Sequence, residues 1–380
     1  MDFRLNEDQL ALQKMVREFT DKEVRPIAAH MDETGEFDEE LWKKMAELGL
    51  FGILAPEEYG GSGLDHVSLC VVMEEIVRGS GNMYNWLVTS NGPNTGAILL
   101  YGTEEQKKKY VPKTASGEFR CAYAITEPDN GSDTRSMKTI AVREGDHFVI
   151  NGTKTFITMA TLADRILTTC KYVENGEDKG YVTLIVDRDC PGLIIGKDEH
   201  KMGLRGTSLN TVFYENCIVP AENVLGEVGK GMEPATACLS EVRVSCGAFA
   251  VGLAQEAIDL ATAYAKEREQ FGKKISQFQN TQFVLAECQT KVDAARLMTW
   301  RAASELDLGN GDRLYGSMAK YYSGEICNDV VRKCLQVFGG YGYCTEYPIE
   351  RIYRDAKIAE IFDGTAEIQK VIISKAIGIR

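Results

Sequence analysis

Apolar positions recur along this chain with two different periods, and the switches between them divide it into three parts. In the first, they fall a helical turn apart: Leu12, Met15, Val16 and Phe19 share one face, and Asn6 with Gln9 in front of them has the pattern of a capping box. Asp38 to Leu50 repeats the period until the Pro- and Gly-rich stretch 55–63 breaks it. Val67 to Val77 and Glu104 to Tyr110 continue it, which predicts a small helical bundle.

From about Phe119 to Pro220 the text changes to short β-branched runs divided by turn residues. The runs are 139–142, 147–150, 153–158, 166–170, 181–186, 192–195 and 211–219, with Glu144-Gly145-Asp146, Asn151-Gly152, the segment 174–180 and the segment 189–192 between them. Asn-Gly between two such runs predicts a hairpin. The expectation is a β domain of about eight strands, a barrel or sandwich. After Gly231 the helical period returns in Val244–Lys266, Gln282–Leu306, Tyr315–Val337 and Ala366–Ala376, which predict a four-helix bundle. The fold class expected is mainly α with a central β domain, divided at 1–118, 119–230 and 231–380. At 380 residues and roughly 150 per domain, two to three domains are also what the length allows.

Charge narrows the partners. Lys+Arg 43 against Asp+Glu 56 leave −13, so the chain lacks the cationic surplus that neutralises phosphate backbones, and no nucleic-acid partner is expected. Apolar content of 44% with 26% charged residues suits a buried globular core. No apolar run approaching eighteen residues is evident and the first residues are acidic, so neither a membrane span nor a targeting segment is expected and the location is read as the bacterial cytoplasm. The eleven cysteines include no C-x-x-C and none is spaced with a histidine as a metal ligand; they read as small reduced hydrophobes, and no metal is expected.

Three stretches carry chemistry. Tyr123 to Asp133 is a polar, Gly-containing loop whose N–H groups and hydroxyls suit a flat heteroaromatic ring or a phosphate, although it also reads as a domain connection. Gln336 to Tyr343, with Glu346, Arg351 and Asp355, places glycines where backbone can approach a ligand; it also reads as a helix-ending turn followed by a surface i,i+4 pair. Ile361 to Gln369 sets Asp363 beside a glycine before a helix, a place where a carboxylate also serves simply as an N-terminal helix acid. The clusters at 60–63 and 339–342 do not make the G-x-G-x-x-G of a Rossmann dinucleotide site.

Taken together, these stretches resemble the acyl-CoA dehydrogenase family of flavoproteins, and the resemblance runs over essentially all 380 residues. The loop 125–133 and the spaced set Gln336, Gly339, Gly340, Gly342, Tyr343, Glu346, Arg351 and Asp355 match both of the family's characteristic patterns. Lys201–Ser208 resembles the loop closing its β domain, and Glu267–Ile275 the segment reaching the flavin of a neighbouring subunit, where residues alone give a surface turn and a charged helix end. The resemblance implies FAD as cofactor, an acyl-CoA substrate, an electron-transferring flavoprotein as partner and a homo-oligomer, usually a tetramer. It implies loss of a proton from Cα and a hydride from Cβ, the latter to flavin N5, with the thioester oxygen held by the N–H of the base residue and a ribityl hydroxyl.

Carried over by position, Asp363 stands where most members have a glutamate base, with Gly364 beside it. Flavin contacts fall on Tyr123, Ile125, Thr126, Gly131, Ser132, Phe156, Thr158 and Thr365, and from a partner chain or the adenine side on Arg268, Phe271, Ile275, Gln336, Gly339 and Gly340. Met159 departs from the more usual Asn. Substrate contacts fall on Ser132, Arg243, Gly364 and Asn91, the last aligned with a position that is Asp in cyclohexenecarboxyl-CoA enzymes of the vinylogous 1,4 type. A minority of members take the base from the preceding helix next to Arg243, but here that neighbour is Val242 and Glu241 lies roughly 100° further round. An Asp is shorter than Glu by about 1.5 Å, which suits a substrate bulky at Cα and resembles the family's cyclohexane-1-carboxyl-CoA dehydrogenases. A short- or branched-chain dehydrogenase, a 2-enoyl-CoA reductase, an oxidase and a catalytically silent acyl-CoA-binding scaffold remain the alternatives.

Overall fold

Helix starts in the computed structural model, which describes residues 3–311 and 313–379, fall where short polar side chains meet apolar runs. The capping box is present: Gln9 N–H donates to Asn6 Oδ1 at 2.8 Å and Asn6 N–H to Gln9 Oε1 at 3.1 Å, opening α1 (Glu7–Phe19). A short α2 (Ala28–Thr34) follows, Asp38 caps α3 (Glu39–Glu47) and Asp65 caps α4 (His66–Val77). Two helices that periodicity did not predict come next, α5 (Asn82–Asn91) and α6 (Pro93–Tyr101). Every residue of α5 is buried, so it has no polar face to mark it. Thr103 then caps α7 (Glu104–Ala115).

The β region forms one eight-stranded sheet from β1 (Cys121–Ala124), β2 (Ile140–Glu144), β3 (His147–Thr158), β4 (Arg165–Glu174), β5 (Glu177–Asp187), β6 (Leu193–Asp198), β7 (Leu209–Pro220) and β8 (Val224–Gly229). The order is β6-β7-β3-β2-β4-β5-β8, with β1 and β2 both parallel to β4, on different halves of it. The hairpin predicted at Asn151-Gly152 is not one. The turn between β2 and β3 is Gly145-centred, and β3 runs straight through 151–152 with a bulge against β7. Asn151 spends its amide across that bulge, donating to Asn216 Oδ1 at 3.2 Å and accepting from Asn216 N–H at 2.9 Å. Both edges of the strand are occupied there, so the chain has no reason to reverse.

After a short α8 (Met232–Ala237), α9 (Leu239–Glu267) returns the chain to helix. A two-residue ladder, β9 (Glu269–Gln270) with β10 (Lys273–Lys274), leads to α10 (Gln279–Asp307), α11 (Arg313–Phe338), α12 (Pro348–Ala356) and α13 (Ala366–Ala376). α12 also escaped periodicity, being only two and a half turns long. The helical parts at the two ends share a single hydrophobic core: Trp42, Met73 and Trp86 belong to the same cluster as Phe249, Val292 and Val331. A second core fills the sheet, and a third joins α6 and α7 to β4, β5 and β8. One stretch, Met232–Glu267, is long and apolar enough by length and composition to cross a bilayer, which corrects the expectation that none is; 83% of its apolar window is buried inside the protein.

Candidate active site

The loop between α12 and α13 is shaped by its backbone. Asp363 takes φ +53°, a left-handed conformation few non-glycine residues adopt, and Gly364 follows at φ +95°. Gln369 Nε2 donates to the Gly364 carbonyl at 2.8 Å, and Thr365 Oγ1 accepts from Ile368 N–H at 3.4 Å, capping α13. Asp363 is therefore not the capping acid of that helix; it precedes the cap and turns toward α5 and α9. The residue as a whole is exposed, with its carboxyl group directed at Tyr84 and Cys246.

Three elements furnish that carboxyl group with partners. From α5, the Tyr84 hydroxyl donates to Asp363 Oδ2 at 2.8 Å. From α9, the Cys246 thiol donates to the same oxygen at 3.4 Å and lies 3.0 Å from the Tyr84 oxygen. Lys320 of α11 and Arg243 of α9 add positive charge; Lys320 Nζ and Arg243 Nε and Nη1 are buried with no hydrogen-bond partner among the described residues. Desolvation is the largest influence and raises the Asp363 pKa; the Tyr84 and Cys246 hydrogen bonds, then Lys320 and Arg243, oppose it. Desolvation in turn brings the Lys320 ammonium down and the Arg243 guanidinium to about 10. Asp363, Gly364 and Arg243 were sequence candidates. Tyr84, Cys246 and Lys320 were not, and no local signal marks them, because Tyr84 meets Asp363 across 279 positions of sequence.

Asn91 is placed elsewhere. Its amide donates to the carbonyls of Leu50 at 2.8 Å and Leu87 at 3.2 Å and accepts from Ile53 N–H at 2.8 Å, so this 2%-exposed side chain braces the turn after α3 and does not join Asp363. Val242 is core, and the Glu241 carboxyl turns toward Gly96 of α6 and the field of His66. Asp355, which also read as half of a surface ion pair, is 2% exposed and accepts Leu204 N–H at 2.7 Å, fastening the 201–208 loop to α12. Burial raises its pKa to about 6.

The polar loop after β1 is held from beneath by a buried ion pair. Lys154 Nζ lies 2.9 Å from Glu127 Oε1 and donates to the Ile125 carbonyl at 3.0 Å, while Glu127 also accepts N–H groups of Lys138 and Thr139. Thr155 N–H donates to the Thr126 carbonyl at 2.9 Å. Gly131 and Ser132 are thereby left at the surface, with open space where a Gly131 Cβ would stand. On β3 beside this loop, Phe156 takes φ +57° at a second bulge and is 61% exposed, with Thr158 two residues on. Met159 instead turns inward, its sulfur accepting from Thr89 Oγ1 of α5 at 3.5 Å. The Tyr123 hydroxyl donates to the Ala235 carbonyl.

A second cluster forms at the far ends of α9 and α11. Arg268, Ile275, Gln336, Gly339 and Gly340 line one cavity of about 420 Å³ together with Tyr264 and Tyr341. Neither Gly339 nor Gly340 has anything within 4 Å of a would-be Cβ, so the cradle is open to a ligand that approaches backbone. Phe271 and Gly272, both at positive φ, make the two-residue turn between β9 and β10 and leave Phe271 94% exposed. An open loop with an exposed aromatic, plus a glycine-floored cradle with an arginine, fits the two ends of a dinucleotide.

A helical, β, helical chain with a hydrogen-bonded carboxylate at its centre and two such cradles belongs to the acyl-CoA dehydrogenase family: residues 6–118, 122–217 and 229–378 match its N-terminal, middle and C-terminal domains. It is a flavoprotein oxidoreductase acting on CH–CH bonds of acyl-CoA thioesters, with FAD as cofactor. The chain is 43% identical to the caffeyl-CoA reductase-Etf complex subunit CarC of Acetobacterium woodii, over 97% of this chain and 98% of that one. It is 42% identical to a 3-(aryl)acrylate reductase of Clostridium sporogenes, over 96% of each. Butyryl-CoA dehydrogenase of Megasphaera elsdenii superposes with a TM-score of 0.96 at 33% identity, covering 99% of this chain and 100% of that one.

Proposed function

We propose that the chain interconverts an acyl-CoA and its 2-enoyl-CoA with Asp363 as the base at Cα, exchanging electrons with an electron-transferring flavoprotein, and that its substrate is cyclohexane-1-carboxyl-CoA, giving cyclohex-1-ene-1-carboxyl-CoA. The observation that carries the assignment of the base is the carboxylate itself: both of its hydrogen bonds fall on Oδ2, and Oδ1 takes none from the described residues. An oxygen left free in this way accepts the Cα proton. Bound FAD supplies the acceptor for the hydride that leaves Cβ. The loop residues Tyr123, Ile125, Thr126, Gly131 and Ser132, with Phe156, Thr158 and Thr365, hold its flavin end. Arg268, Phe271, Ile275, Gln336, Gly339 and Gly340 hold its adenine end, across the interface of a homo-oligomer, a tetramer in this proposal. Arg243 and Gly364 complete the substrate side, where Arg243 offsets the negative charge that develops as Cα loses its proton. A bacterial cytoplasmic setting is part of the same proposal.

The short base is what favours a ring at Cα, since a methylene fewer on the enzyme leaves room for a branched carbon on the substrate. A second reading has the reaction running toward saturation of an aryl-substituted 2-enoyl-CoA, and the names of the two relatives at 43% and 42% identity favour it. One panel separates them: bleaching of the oxidised flavin by cyclohexane-1-carboxyl-CoA, 3-phenylpropanoyl-CoA, isobutyryl-CoA and butyryl-CoA. Fastest bleaching by the cyclohexyl thioester supports the first reading. A preference for 3-phenylpropanoyl-CoA rejects it in favour of the second, and a preference for butyryl-CoA rejects both.

A further inference from the structure

We propose that Tyr84 is the positioning residue of the active site: its phenol pins one oxygen of Asp363 so that the other is presented in a fixed direction. The inference rests on the assignment of Asp363 as base and goes beyond it, since the hydrophobic pattern did not predict the helix that carries Tyr84 and the resemblance picked out only Asn91 on it.

The geometry is that of a clamp. The Tyr84 ring is 1% exposed and sits against Phe249 of α9 at 5.0 Å and Phe362 at 4.8 Å, with Phe249 and Phe362 themselves 5.4 Å apart. Three rings in mutual contact fix the phenol oxygen in place. A phenol has one proton to give; with that proton on Asp363 Oδ2 at 2.8 Å, the Cys246 thiol stands beside both atoms, 3.4 Å from Oδ2 and 3.0 Å from the Tyr84 oxygen, with a single proton for the pair. Phe362 is also the residue just before Asp363, so the ring cluster grips the left-handed turn that launches the carboxylate. A short side chain on a strained turn needs such a hold if its free oxygen is to keep one direction, because a misplacement of about 1 Å is enough to cost about a hundredfold in rate.

The phenol also bears on the charge of Asp363. The groups facing that carboxyl are Tyr84 on α5, Arg243 and Cys246 on α9, Lys320 on α11 and, through its field, Tyr123 on β1. Among them the Tyr84 hydrogen bond is the largest influence favouring the ionised form. Its loss therefore moves the Asp363 titration to higher pH.

The test compares Tyr84→Phe, which keeps the ring and removes the hydroxyl, with Asp363→Asn in the FAD-loaded protein. Two readouts are followed against pH: flavin bleaching with cyclohexane-1-carboxyl-CoA and 3-phenylpropanoyl-CoA as probes, and the protonated Asp363 carboxyl band in infrared difference spectra of substrate-free protein. Expected for Tyr84→Phe are a fall in kcat of about ten- to a hundredfold with KM within about threefold, and an upward shift of about one pH unit in both midpoints. Tyr84→3-fluorotyrosine, a stronger donor, shifts both midpoints downward, and it carries the test alone if the Phe variant does not fold. Unmoved midpoints in either variant overturn the proposal even if kcat falls, since loss of packing alone lowers kcat without touching the titration. If Asp363→Asn bleaches at an undiminished rate, the assignment of the base is wrong and this inference goes with it. An inert Asp363→Asn beside an unchanged Tyr84→Phe removes the inference alone.

Discussion

Two carboxylates lie on opposite sides of the first turns of α9, and only one of them has hydrogen-bond donors among the described residues. On one side Asp363 meets Cys246 and Arg243, with Tyr84 and Lys320 completing its surroundings. On the other, roughly 170° round the helix by the 100° step, Glu241 has an orphaned Oε1, and only the field of His66 opposes the desolvation that lifts its pKa to about 7. Both feel burial as the dominant influence. Donors and nearby cations, not burial, make the difference, and a carboxylate without them is a cost to the fold. Position along the sequence already pointed to Asp363, with Glu241 one residue away from the alternative base position of the family. Spatial company favours Asp363.

Asp363→Asn keeps the shape and removes the proton acceptor, and we expect a loss of about a thousandfold in the flavin bleaching rate with flavin content unchanged. A rate within tenfold of the parent moves the base elsewhere. Lys320→Met is expected to move the pH dependence of bleaching to higher pH, because losing that cation raises the Asp363 pKa further; stopped-flow bleaching across pH reads this, and recovery of the rate at higher pH is its signature. Glu241→Gln sharpens the other side, with activity expected within about twofold. Its effect is on stability. The folded Glu241 pKa of about 7 lies above the unfolded value near 4.5, so its contribution is most favourable below about pH 4.5 and is lost as pH rises through 7. Denaturant unfolding of parent and variant at pH 5 and pH 8 should show the variant gaining on the order of 2 kcal/mol relative to the parent at the higher pH. Asp355, with its pKa of about 6, loses stability in the same direction in both proteins and cancels in the difference.

How much of this was legible beforehand follows from what each residue depends on. The capping box at Asn6 and Gln9 is a contact between residues three apart, and the sequence states it outright. The long helices α9, α10 and α11 keep their period over twenty residues or more and are equally plain. Helix α5 is buried on every side and leaves no pattern. Asn151-Gly152 has the residues of a tight turn, yet the pairing of β3 on both edges decides the conformation, and the glycine serves a bulge. At the site, Asp363 was legible only through its resemblance to a known motif. Tyr84, Cys246 and Lys320 come from three helices, and what joins them to Asp363 is tertiary packing alone. Asn91 shows the converse: an aligned position is no guide when the amide is already committed to the backbone of its own helix and the turn beside it.

The shared interior of the two helical ends sets a schedule for the chain as it is made. Trp42 and Trp86 emerge early and can meet each other, Phe37 and Phe51, but the core they share is complete only when Phe249, Val292 and Val331 have left the ribosome. The sheet lies between them and closes on its own core, so it can settle while the leading helices wait. Those helices stay adhesive until translation is nearly complete, and a chaperone that shields them over that interval would raise the yield of this protein more than one acting on the finished chain.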